Sequence, residues 1–221
     1  MTQRCVLLLG GSFDPVHCGH VAIARYFCTL LHPDELRLIP AGHPWQKPTM
    51  TTPAEHRIAM LNLAFNDWMV PVVIDTQEVA RSGASYAVDT LHVLREEFGH
   101  EVALVMLLGA DQLLNLHTWR DWRALFNLVN ICVAARPGFA LDNHVMDDDI
   151  EREFTRRRAT ESQVRDTPHG LTYIANDLAL PVSSTTVRKA LADHNQAVLA
   201  GLIPLPVLDY VQQHHLYQTA H

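Results

Sequence analysis

Residue types that bind phosphate are concentrated near the start of the chain, in one run of eleven residues. That run reads Gly10-Gly11-Ser12-Phe13-Asp14-Pro15-Val16-His17-Cys18-Gly19-His20. Two adjacent glycines let backbone amides approach a phosphate with no Cβ in the way. The two histidines are three residues apart, so both project from one face of a helix's first turn, at the positive end of its dipole. Together with a preceding strand, the run predicts an anion site.

The glycines and histidines of this run also fit two simpler structures. A Gly-Gly turn after a strand is common, and a histidine pair three residues apart is also half of a metal site. A metal site needs a third ligand, and no Cys, Asp or Glu follows at ligand spacing. The complete pattern, with a strand before it and a helix after it, therefore favours a functional phosphate site.

A second group of candidate residues opens a predicted helix near the other end of the chain. It consists of Ser183, Ser184, Thr185, Thr186 and, one turn after Ser184, Arg188. Hydroxyl groups at that position cap the free amides of the helix, and capping alone explains them. A cap and a guanidinium on the same helix face also bind a triphosphate, since both donate to phosphate oxygens. Combined with the first run, this group strengthens the prediction of a nucleotide site.

The elements that must position these residues alternate between strand and helix. Strands are expected over residues 5–9, 35–39, 70–74, 102–108 and 130–135, and helices over 17–31, from 53 onwards, and over 86–98, 119–126, from 184 onwards and 206–214. Such alternation predicts an α/β fold, with a doubly wound, mainly parallel sheet and helices on both faces.

One stretch of the chain departs from this alternation. Over residues 139–177 an acidic cluster, Asp147-Asp148-Asp149, is followed by a basic one, Arg156-Arg157-Arg158. We expect a solvated helical excursion there, of less regular structure. Since no repeat, linker or low-complexity tract interrupts the sequence, a single domain over residues 1–221 is predicted.

Composition narrows the classes of function. The 221 residues include 17 Lys plus Arg and 24 Asp plus Glu, a formal net charge of -7, which argues against nucleic-acid or anionic-membrane binding. The longest nearly apolar run, residues 102–110, is far shorter than the ~20 residues of a membrane helix. The four cysteines form no CxxC pair, as expected in a reducing compartment. A cytoplasmic protein with no membrane partner is therefore predicted.

Both groups resemble the two signatures of the nucleotidyltransferase superfamily with the HxGH motif. Interior segments narrow the resemblance to the bacterial nicotinate-nucleotide adenylyltransferases and extend it in order along nearly the whole chain. These segments are Ile39-Pro40-Ala41-Gly42-His43-Pro44-Trp45-Gln46-Lys47-Pro48, Ser85-Tyr86-Ala87-Val88-Asp89-Thr90-Leu91, Gly109-Ala110-Asp111-Gln112, Thr118-Trp119 and Ala135-Arg136-Pro137-Gly138. The resemblance implies a Rossmann-like nucleotidyltransferase fold.

The resemblance also implies roles for individual residues. The implied catalytic residues are His17, His20 and Arg188, and the implied ATP site consists of Gly10, Gly11, Ser12, Phe13, Gly109, Arg136, Ser183 and Ser184. The implied mononucleotide site consists of Lys47, Ser85, Tyr86, Ala87, Asp111, Trp119 and Arg120. In it Lys47 would contact phosphate, Asp111 would hold a ribose hydroxyl and Trp119 would stack on the pyridine ring.

The residues themselves support these roles unequally. Asp111 follows the most buried predicted strand, and ligands of a doubly wound sheet bind at the carboxyl ends of strands. Spacing alone favours Trp119 as a core aromatic, and leaves Arg120 either as a pocket cation or in solvent. Gln46 stands where relatives often carry His, and Ala87 where they often carry Thr. A pyridine contact at Ala87 must therefore come from its backbone amide.

The implied reaction is attack of the 5'-phosphate of nicotinate mononucleotide on the α-phosphorus of ATP, giving deamido-NAD and pyrophosphate. A phosphate monoester has a second pKa of about 6 and is largely dianionic at neutral pH, so no general base is assigned. A Mg²⁺ ion is expected on the ATP phosphates, with no protein metal ligands assigned. Backbone N–H groups around Tyr86 and Ala87 favour the nicotinate carboxylate over the nicotinamide NH₂.

Other functions are compatible with parts of the sequence. A related transferase that uses nicotinamide mononucleotide or another phosphorylated acceptor, such as a phosphopantetheine adenylyltransferase or a cytidylyltransferase, would share the two terminal motifs. A non-catalytic nucleotide-binding module would share them too, although intact His17, His20 and Arg188 argue against it. A metal-binding module would use some of the fourteen histidines.

Overall fold

A six-stranded parallel sheet forms the centre of the molecule. The computed structural model describes residues 3–42, 52–135, 146–176, 178, 182–193 and 195–218. The strands are β1 (Cys5–Gly11), β2 (Glu35–Pro40), β3 (Val72–Ile74), β4 (Ala103–Gly109), β5 (Asn130–Ala134) and β6 (Thr172–Ala175). They lie in the order β3-β2-β1-β4-β5-β6, and every neighbouring pair is parallel. This is the doubly wound arrangement, so the predicted fold class is confirmed.

Ten α-helices surround this sheet in the described part of the chain. They are α1 (Cys18–Leu31), α2 (Ala54–Ala64), α3 (Gln77–Ala80), α4 (Ala87–Phe98), α5 (Ala110–Leu114), α6 (Asp148–Arg156), α7 (Glu161–Asp166), α8 (Ser184–Ala192), α9 (Gln196–Leu202) and α10 (Leu205–Gln213). Two 3₁₀ helices, Leu116–Thr118 and Trp122–Asn127, lie between β4 and β5. None of the helices that the structure describes is both long and apolar enough to cross a bilayer.

The core is divided between the two faces of the sheet. Along β1, Leu7 and Leu9 pack with residues of α1, α2 and α8–α10, whereas Val6 and Leu8 pack with residues of α4, α6 and the 3₁₀ helices. Because both faces are covered, β1 and β4 are apolar at nearly every position, as the sequence showed.

The described part of the 139–177 stretch, residues 146–176, is more regular than the sequence suggested. The acidic cluster begins α6, where Asp147 accepts a hydrogen bond from the backbone N–H of Asp149 at 3.0 Å, and Arg156 lies in the last turn of the helix. Ile150 and Phe154 of this helix are buried, so it is amphipathic rather than solvated. The stretch also contains α7 and the edge strand β6, whose four residues are too few for a periodic signal.

The helix expected over residues 119–126 is also wrong. Asp121 has a φ of 49°, in the left-handed region, which interrupts any continuous α-helix at that point. The chain forms two short 3₁₀ helices on either side of this residue instead. The short helices α3, α5 and α9, of four, five and seven residues, were not predicted.

Candidate active site

Two cavities open at the carboxyl ends of β1 and β4. The first has a volume of about 170 Å³ and is lined by residues that include Ser85, Tyr86, Ala87, Trp119 and Arg120. The second has a volume of about 290 Å³ and is lined by residues that include His17, His20, Gly109, Ser183 and Ser184. Gly10, Gly11, Ser12 and Gln112 line both cavities. Strands β2 and β4 lie on opposite sides of β1, so the strand order reverses at β1. Both cavities therefore lie at the switch point of the sheet.

The loop after β1 separates the two cavities. Phe13 adopts a left-handed backbone conformation, with a φ of 48°, and its ring is fully buried. A Cβ on Gly11 would lie 3.2 Å from the Phe13 Cζ atom, so any other residue would press on this ring. The other edge of the ring meets His20, with the ring centroids 4.9 Å apart. Phe13 therefore serves as packing beneath the loop and His20.

Side chains from two other elements hold the carbonyl groups of this loop. Arg57 of α2 donates to the Ser12 oxygen at 2.9 Å. From α8, Ser184 donates to the Pro15 oxygen at 3.2 Å and Arg188 donates to the Asp14 oxygen at 2.7 Å. Three carbonyls of the loop thus have side-chain donors, which fix its position relative to both helices.

The two histidines form a stacked pair at the start of α1. Their ring centroids are 3.7 Å apart and the ring planes differ by 24°. The backbone N–H of His17 donates to Nδ1 of His20 at 3.2 Å, so a neutral His20 carries its proton on Nε2. A Cβ on Gly19 would lie 3.0 Å from the His17 ring, which explains the glycine between them. Both histidines line the second cavity, so the pair places its imidazole rings at that wall.

The second sequence motif is divided between the cavity and the loop. Ser183 is the N-cap of α8, and its Oγ accepts from the Thr186 backbone N–H at 3.1 Å, which confirms the capping interpretation. Ser183 and Ser184 both line the second cavity. Arg188 is not among the described residues that line either cavity. Its guanidinium donates to the Asp14 carbonyl and lies 3.4 Å from the Thr185 hydroxyl.

The predicted pyridine-binding residues come together in the first cavity. Tyr86 is the N-cap of α4 and Ala87 its first residue, so the free amides of the helix start at this wall. Trp119 is half-buried and lines the cavity, so spacing alone misplaced it in the core. Arg120 is 54% exposed, lies 4.9 Å above the Tyr86 ring and pairs with Asp89 at 3.7 Å. It is a rim cation whose charge is partly compensated.

Asp111 and Gln112 do not lie with the predicted pyridine-binding residues alone. Asp111 is exposed and lines the second cavity with Gly109, not the first. Gln112 lines both cavities, and its Oε1 accepts from the Gly109 backbone N–H at 3.0 Å. The sequence signal for it was its place in the segment Gly109-Ala110-Asp111-Gln112, directly after the most apolar strand.

Sequence reasoning missed a buried carboxyl in the first cavity. Glu78 accepts a hydrogen bond from the Thr90 hydroxyl at 2.8 Å, and burial raises the pKa of its carboxyl. A Cβ on Gly42 would lie 1.9 Å from the Glu78 backbone oxygen, so the chain approaches there as closely as glycine permits. No periodicity marks Glu78, because its helix, α3, is four residues long.

Comparison with known sequences decides the family. A sequence model of the family described as "Cytidylyltransferase-like" matches residues 8–190. A relative from Herminiimonas arsenicoxydans is 50% identical over 216 residues, which cover 98% of this chain and 98% of the relative. A relative from Dechloromonas aromatica is 38% identical over 96% of this chain and 97% of its own. Both are named "Probable nicotinate-nucleotide adenylyltransferase".

The chain belongs to the nicotinate-nucleotide adenylyltransferase family. This confirms the resemblance drawn from the motifs. The nicotinic acid mononucleotide adenylyltransferase of Plasmodium falciparum, solved in complex with NaAD, shares the fold with a TM-score of 0.72. Its identity to this chain is 19%, over 97% of this chain and 98% of that one.

Two residues expected to function in this adenylyltransferase family lie outside the described part of the chain. They are Lys47, assigned to a phosphate contact, and Arg136, assigned to the ATP site. Gln46, which departs from the family pattern, lies there too. Within the described part, the remaining predicted residues line the two adjoining cavities, with two exceptions. Arg188 contacts the loop after β1, and the ring of Phe13 is buried beside that loop.

Proposed function

We propose that this chain transfers the adenylyl group of ATP to nicotinate mononucleotide, giving deamido-NAD and pyrophosphate. The observation that carries the proposal is the meeting of two cavities at Gly10–Ser12, where β1 ends and the loop of the HxGH motif begins. A reaction that joins two nucleotides through their phosphates needs two adjoining sites with a shared phosphate region. The names of the relatives and the ligand NaAD, bound by the Plasmodium enzyme, agree with this reaction.

We propose that ATP binds in the second cavity. Hydroxyl and imidazole donors of Ser183, Ser184, His17 and His20 line it, and these donors suit a triphosphate. Asp111 lies on the same wall, so we assign its carboxylate to a ribose hydroxyl of the nucleotide bound there. The mononucleotide is placed in the first cavity, with its pyridine ring against Trp119 and its phosphate directed towards Gly10–Ser12.

The chemical requirement of the reaction is alignment rather than proton removal. The attacking phosphate is already a dianion at neutral pH, because its second pKa is about 6. The protein must hold two mutually repelling anions together and donate hydrogen bonds to the charge that develops on the α-phosphoryl group. The Nε2–H of His20, fixed by the bond at Nδ1, is such a preorganised donor.

A Mg²⁺ ion fits this arrangement as a companion of ATP. Among the described residues that line the second cavity, Asp111 supplies the carboxylate. Mg²⁺ favours octahedral oxygen ligation, and phosphate oxygens and water are its usual ligands at nucleotide sites. We therefore propose that the ion is held chiefly by the phosphates; it would neutralise part of their negative charge.

Nicotinate is proposed as the preferred pyridine substrate. The wall of the first cavity at the start of α4 offers backbone N–H donors at Tyr86 and Ala87, and Arg120 adds a rim cation. As donors and a cation, these groups match the two acceptor oxygens of a carboxylate better than the NH₂ of an amide. A site that pairs buried polar groups with one ligand can reject the mispaired analogue by factors of up to about 10⁴.

We further propose that the enzyme works in the cytoplasm, with ATP and the mononucleotide as its partners and without nucleic acid. The thiols of Cys5, Cys18, Cys28 and Cys132 are all free, as in a reducing compartment. The net charge of -7 does not suit a nucleic-acid surface.

Pyrophosphate release tests the proposal. The purified protein is incubated with Mg²⁺ and ATP together with nicotinate mononucleotide, nicotinamide mononucleotide or 4'-phosphopantetheine, and with CTP in place of ATP. We expect rapid release with ATP and nicotinate mononucleotide, and a kcat/KM lower by at least about tenfold for every other pair. A preference for nicotinamide or phosphopantetheine would reassign the acceptor, and absence of release with every pair would indicate a non-catalytic module.

Replacement of Trp119 provides a second arm of the same assay. Stacking of an aromatic side chain on a base contributes about 1–3 kcal/mol. Trp119→Ala should therefore raise the KM for the mononucleotide about tenfold or more and leave the KM for ATP within about twofold. Equal effects on both constants would remove Trp119 from the acceptor site.

A further inference from the structure

The end of the chain contacts the loop of the HxGH motif. After α10 the backbone turns, and Tyr217, with a φ of 62°, directs its ring into the protein. The Tyr217 hydroxyl donates to Oδ1 of Asp14 at 2.7 Å, across 203 positions of sequence. Asp14 is 5% exposed, and the Tyr217 ring packs against the core that α1 and α8 cover. This contact joins a segment with no sequence motif to the most diagnostic motif of the chain.

Two arginines, Arg57 and Arg188, lie close to Asp14, so charge contributes to the environment of the Tyr217–Asp14 contact. Arg57, 2% exposed, lies close enough for the Asp14 charge to favour its charged form, although burial lowers the pKa of Arg57 overall. Arg188 donates to the Asp14 backbone oxygen. Burial and the bond to Asp14 raise the pKa of Tyr217, so its hydroxyl remains a donor throughout the neutral range.

Displacement of Asp14 would reach His20 through one residue. Asp14 directly follows Phe13, whose buried ring lies between Gly11 and the imidazole of His20. Close-packed aromatic rings transmit small displacements, because no space exists to absorb them. The Tyr217 hydroxyl therefore lies at one end of a continuous series of contacts that ends at the proposed phosphate donor.

We propose that Tyr217 and Asp14 form a positioning pair, by which the C-terminal turn fixes the phosphate loop and His20 for adenylyl transfer. This inference rests on the proposed function for its kinetic part. Neither side chain touches the substrates; both act through the loop. The pair explains why a carboxylate lies next to a site for polyanions: it is buried, accepts from the Tyr217 hydroxyl, lies within the electrostatic influence of Arg57, and is not among the described residues that line either cavity.

Tyr217→Phe tests the pair, because it removes the hydroxyl and keeps the ring. Loss of a hydrogen bond to a charged group is large enough to misplace a catalytic donor, so we expect kcat to fall about tenfold or more. The KM for the mononucleotide should stay within about twofold, because Trp119 and Tyr86 form its site on the wall of the first cavity. Rates are compared well below the unfolding temperature of each variant.

Two matched controls separate positioning from general stability. Tyr210→Phe removes a hydroxyl of the same C-terminal segment, which is bonded to His56 at 2.9 Å rather than to the loop. Thr52→Val removes the other hydrogen-bond partner of the Tyr217 oxygen and keeps the bond to Asp14. Both variants should retain kcat within about twofold of the unmodified enzyme. A loss in Tyr210→Phe equal to that in Tyr217→Phe would overturn the inference.

A double-mutant cycle and a spectroscopic measurement complete the test. In an Asp14→Ala background, Tyr217→Phe should change kcat by less than about twofold, because the contact is already lost. Independently of catalysis, the imidazole NMR signals of His20 should shift in Tyr217→Phe and not in Tyr210→Phe. If the protein does not release pyrophosphate, the NMR shift still tests the pair. Unchanged His20 signals, or a normal kcat for Tyr217→Phe, would refute it.

Discussion

The backbone N–H of His17 donates a hydrogen bond to Nδ1 of His20, three residues later, at 3.2 Å. In this arrangement His20 occupies the third position of α1 and performs the structural role that Glu or Gln has in a capping box. The same bond leaves the proton of a neutral imidazole on Nε2, and His20 is among the residues that line the second cavity. One side chain therefore stabilises the helix start and, in the proposed reaction, supplies a donor for the phosphate.

These two roles of His20 can be separated by two substitutions. His20→Gln keeps an acceptor for the His17 N–H, whereas His20→Ala removes it. Loss of a preorganised transition-state donor costs on the order of 3 kcal/mol, so both variants should lose about 10²-fold in kcat. Loss of a cap costs about 1 kcal/mol, so only His20→Ala should unfold more easily in urea.

Affinity for ATP provides the check on these two roles. Since the donor acts mainly on charge that develops during transfer, the Kd for ATP should change only a few-fold in either variant. A kcat for His20→Gln within a few-fold of normal would show that Nε2 is not a catalytic donor. His92 is a histidine of α4 that lines neither cavity. His92→Ala therefore serves as the control, and its kcat and its Kd for ATP should equal those of the unmodified enzyme.

Arg188→Lys should be damaging although it conserves charge. Arg188 donates to the Asp14 carbonyl through one nitrogen and lies 3.4 Å from the Thr185 hydroxyl through another. A lysine ammonium lacks the planar fork and cannot make both contacts, so the phosphate loop would lose part of its support. We expect kcat/KM for ATP to fall at least about tenfold, the equivalent of about 1.4 kcal/mol.

The control for Arg188 lies one residue further on. Lys189→Met removes a positive charge from the same helix and should leave kcat/KM for ATP within about twofold. If Arg188→Lys stays as close to normal as this control, the residue contributes only general positive charge, and its bond to the Asp14 carbonyl is dispensable.

The sequence was informative wherever the signal was local. Strands β1 and β4 are apolar because both faces of the sheet are covered. The Gly10–His20 run has a residue pattern typical of a phosphate site built from a strand, a loop and a helix. The Ser183 cap was predicted for the same reason: its partner, the Thr186 N–H, is three residues away.

Long-range contacts carried no comparable signal. The Tyr217–Asp14 bond, the Arg57 bond to the Ser12 carbonyl and the place of Asp111 in the second cavity depend on how distant elements pack. Trp119 and Trp122 look alike in sequence, yet the first lines a cavity and the second is 7% exposed in the core. Residue type and spacing cannot distinguish such cases, because the left-handed turn at Asp121 rotates one away from the other.

Arg95 is predicted to contribute strongly to stability without a role in catalysis. It is 4% exposed, and its guanidinium donates to the carbonyl oxygens of Gly99, Val102, Leu128 and Pro168. Each buried acceptor left without a donor costs about 1–3 kcal/mol. Arg95→Met should therefore lower the free energy of unfolding by at least about 3 kcal/mol, as measured by urea denaturation.

Arg4→Met is the matched control for Arg95. Arg4 is an exposed arginine that pairs with Glu35 at 3.1 Å and lies 5.1 Å above the Phe98 ring. Arg4 itself is exposed, and Glu35 keeps its second partner, Arg37 at 2.9 Å, so replacement of Arg4 should change the free energy of unfolding by no more than about 1 kcal/mol. Equal effects of the two substitutions would show that the four carbonyls find other donors when Arg95 is removed.

The pH dependence of stability should reveal the buried carboxyl of Glu78. Burial raises its pKa in the folded protein above the ordinary value of 4.5, while the Thr90 hydroxyl and the Arg81 charge act in the opposite direction. The folded state thus holds this proton at pH values where the unfolded chain has released it. Stability contributed by the protonated carboxyl is complete below pH 4.5 and is lost as the pH rises through the folded pKa.

Glu78→Gln cannot titrate, so the free energy of unfolding of this variant minus that of the unmodified protein should increase as the pH rises from 4.5 and then level off. Urea unfolding of both proteins in steps between about pH 4 and pH 8 measures this difference, from which all other titrating groups cancel. Thr90→Val removes the donor that favours the ionised carboxylate, so it should extend the upper end of the region of change to higher pH. A flat difference would show that folding leaves the pKa of Glu78 unchanged, and a difference that falls as the pH rises would show that its surroundings stabilise the carboxylate; either result would contradict the prediction.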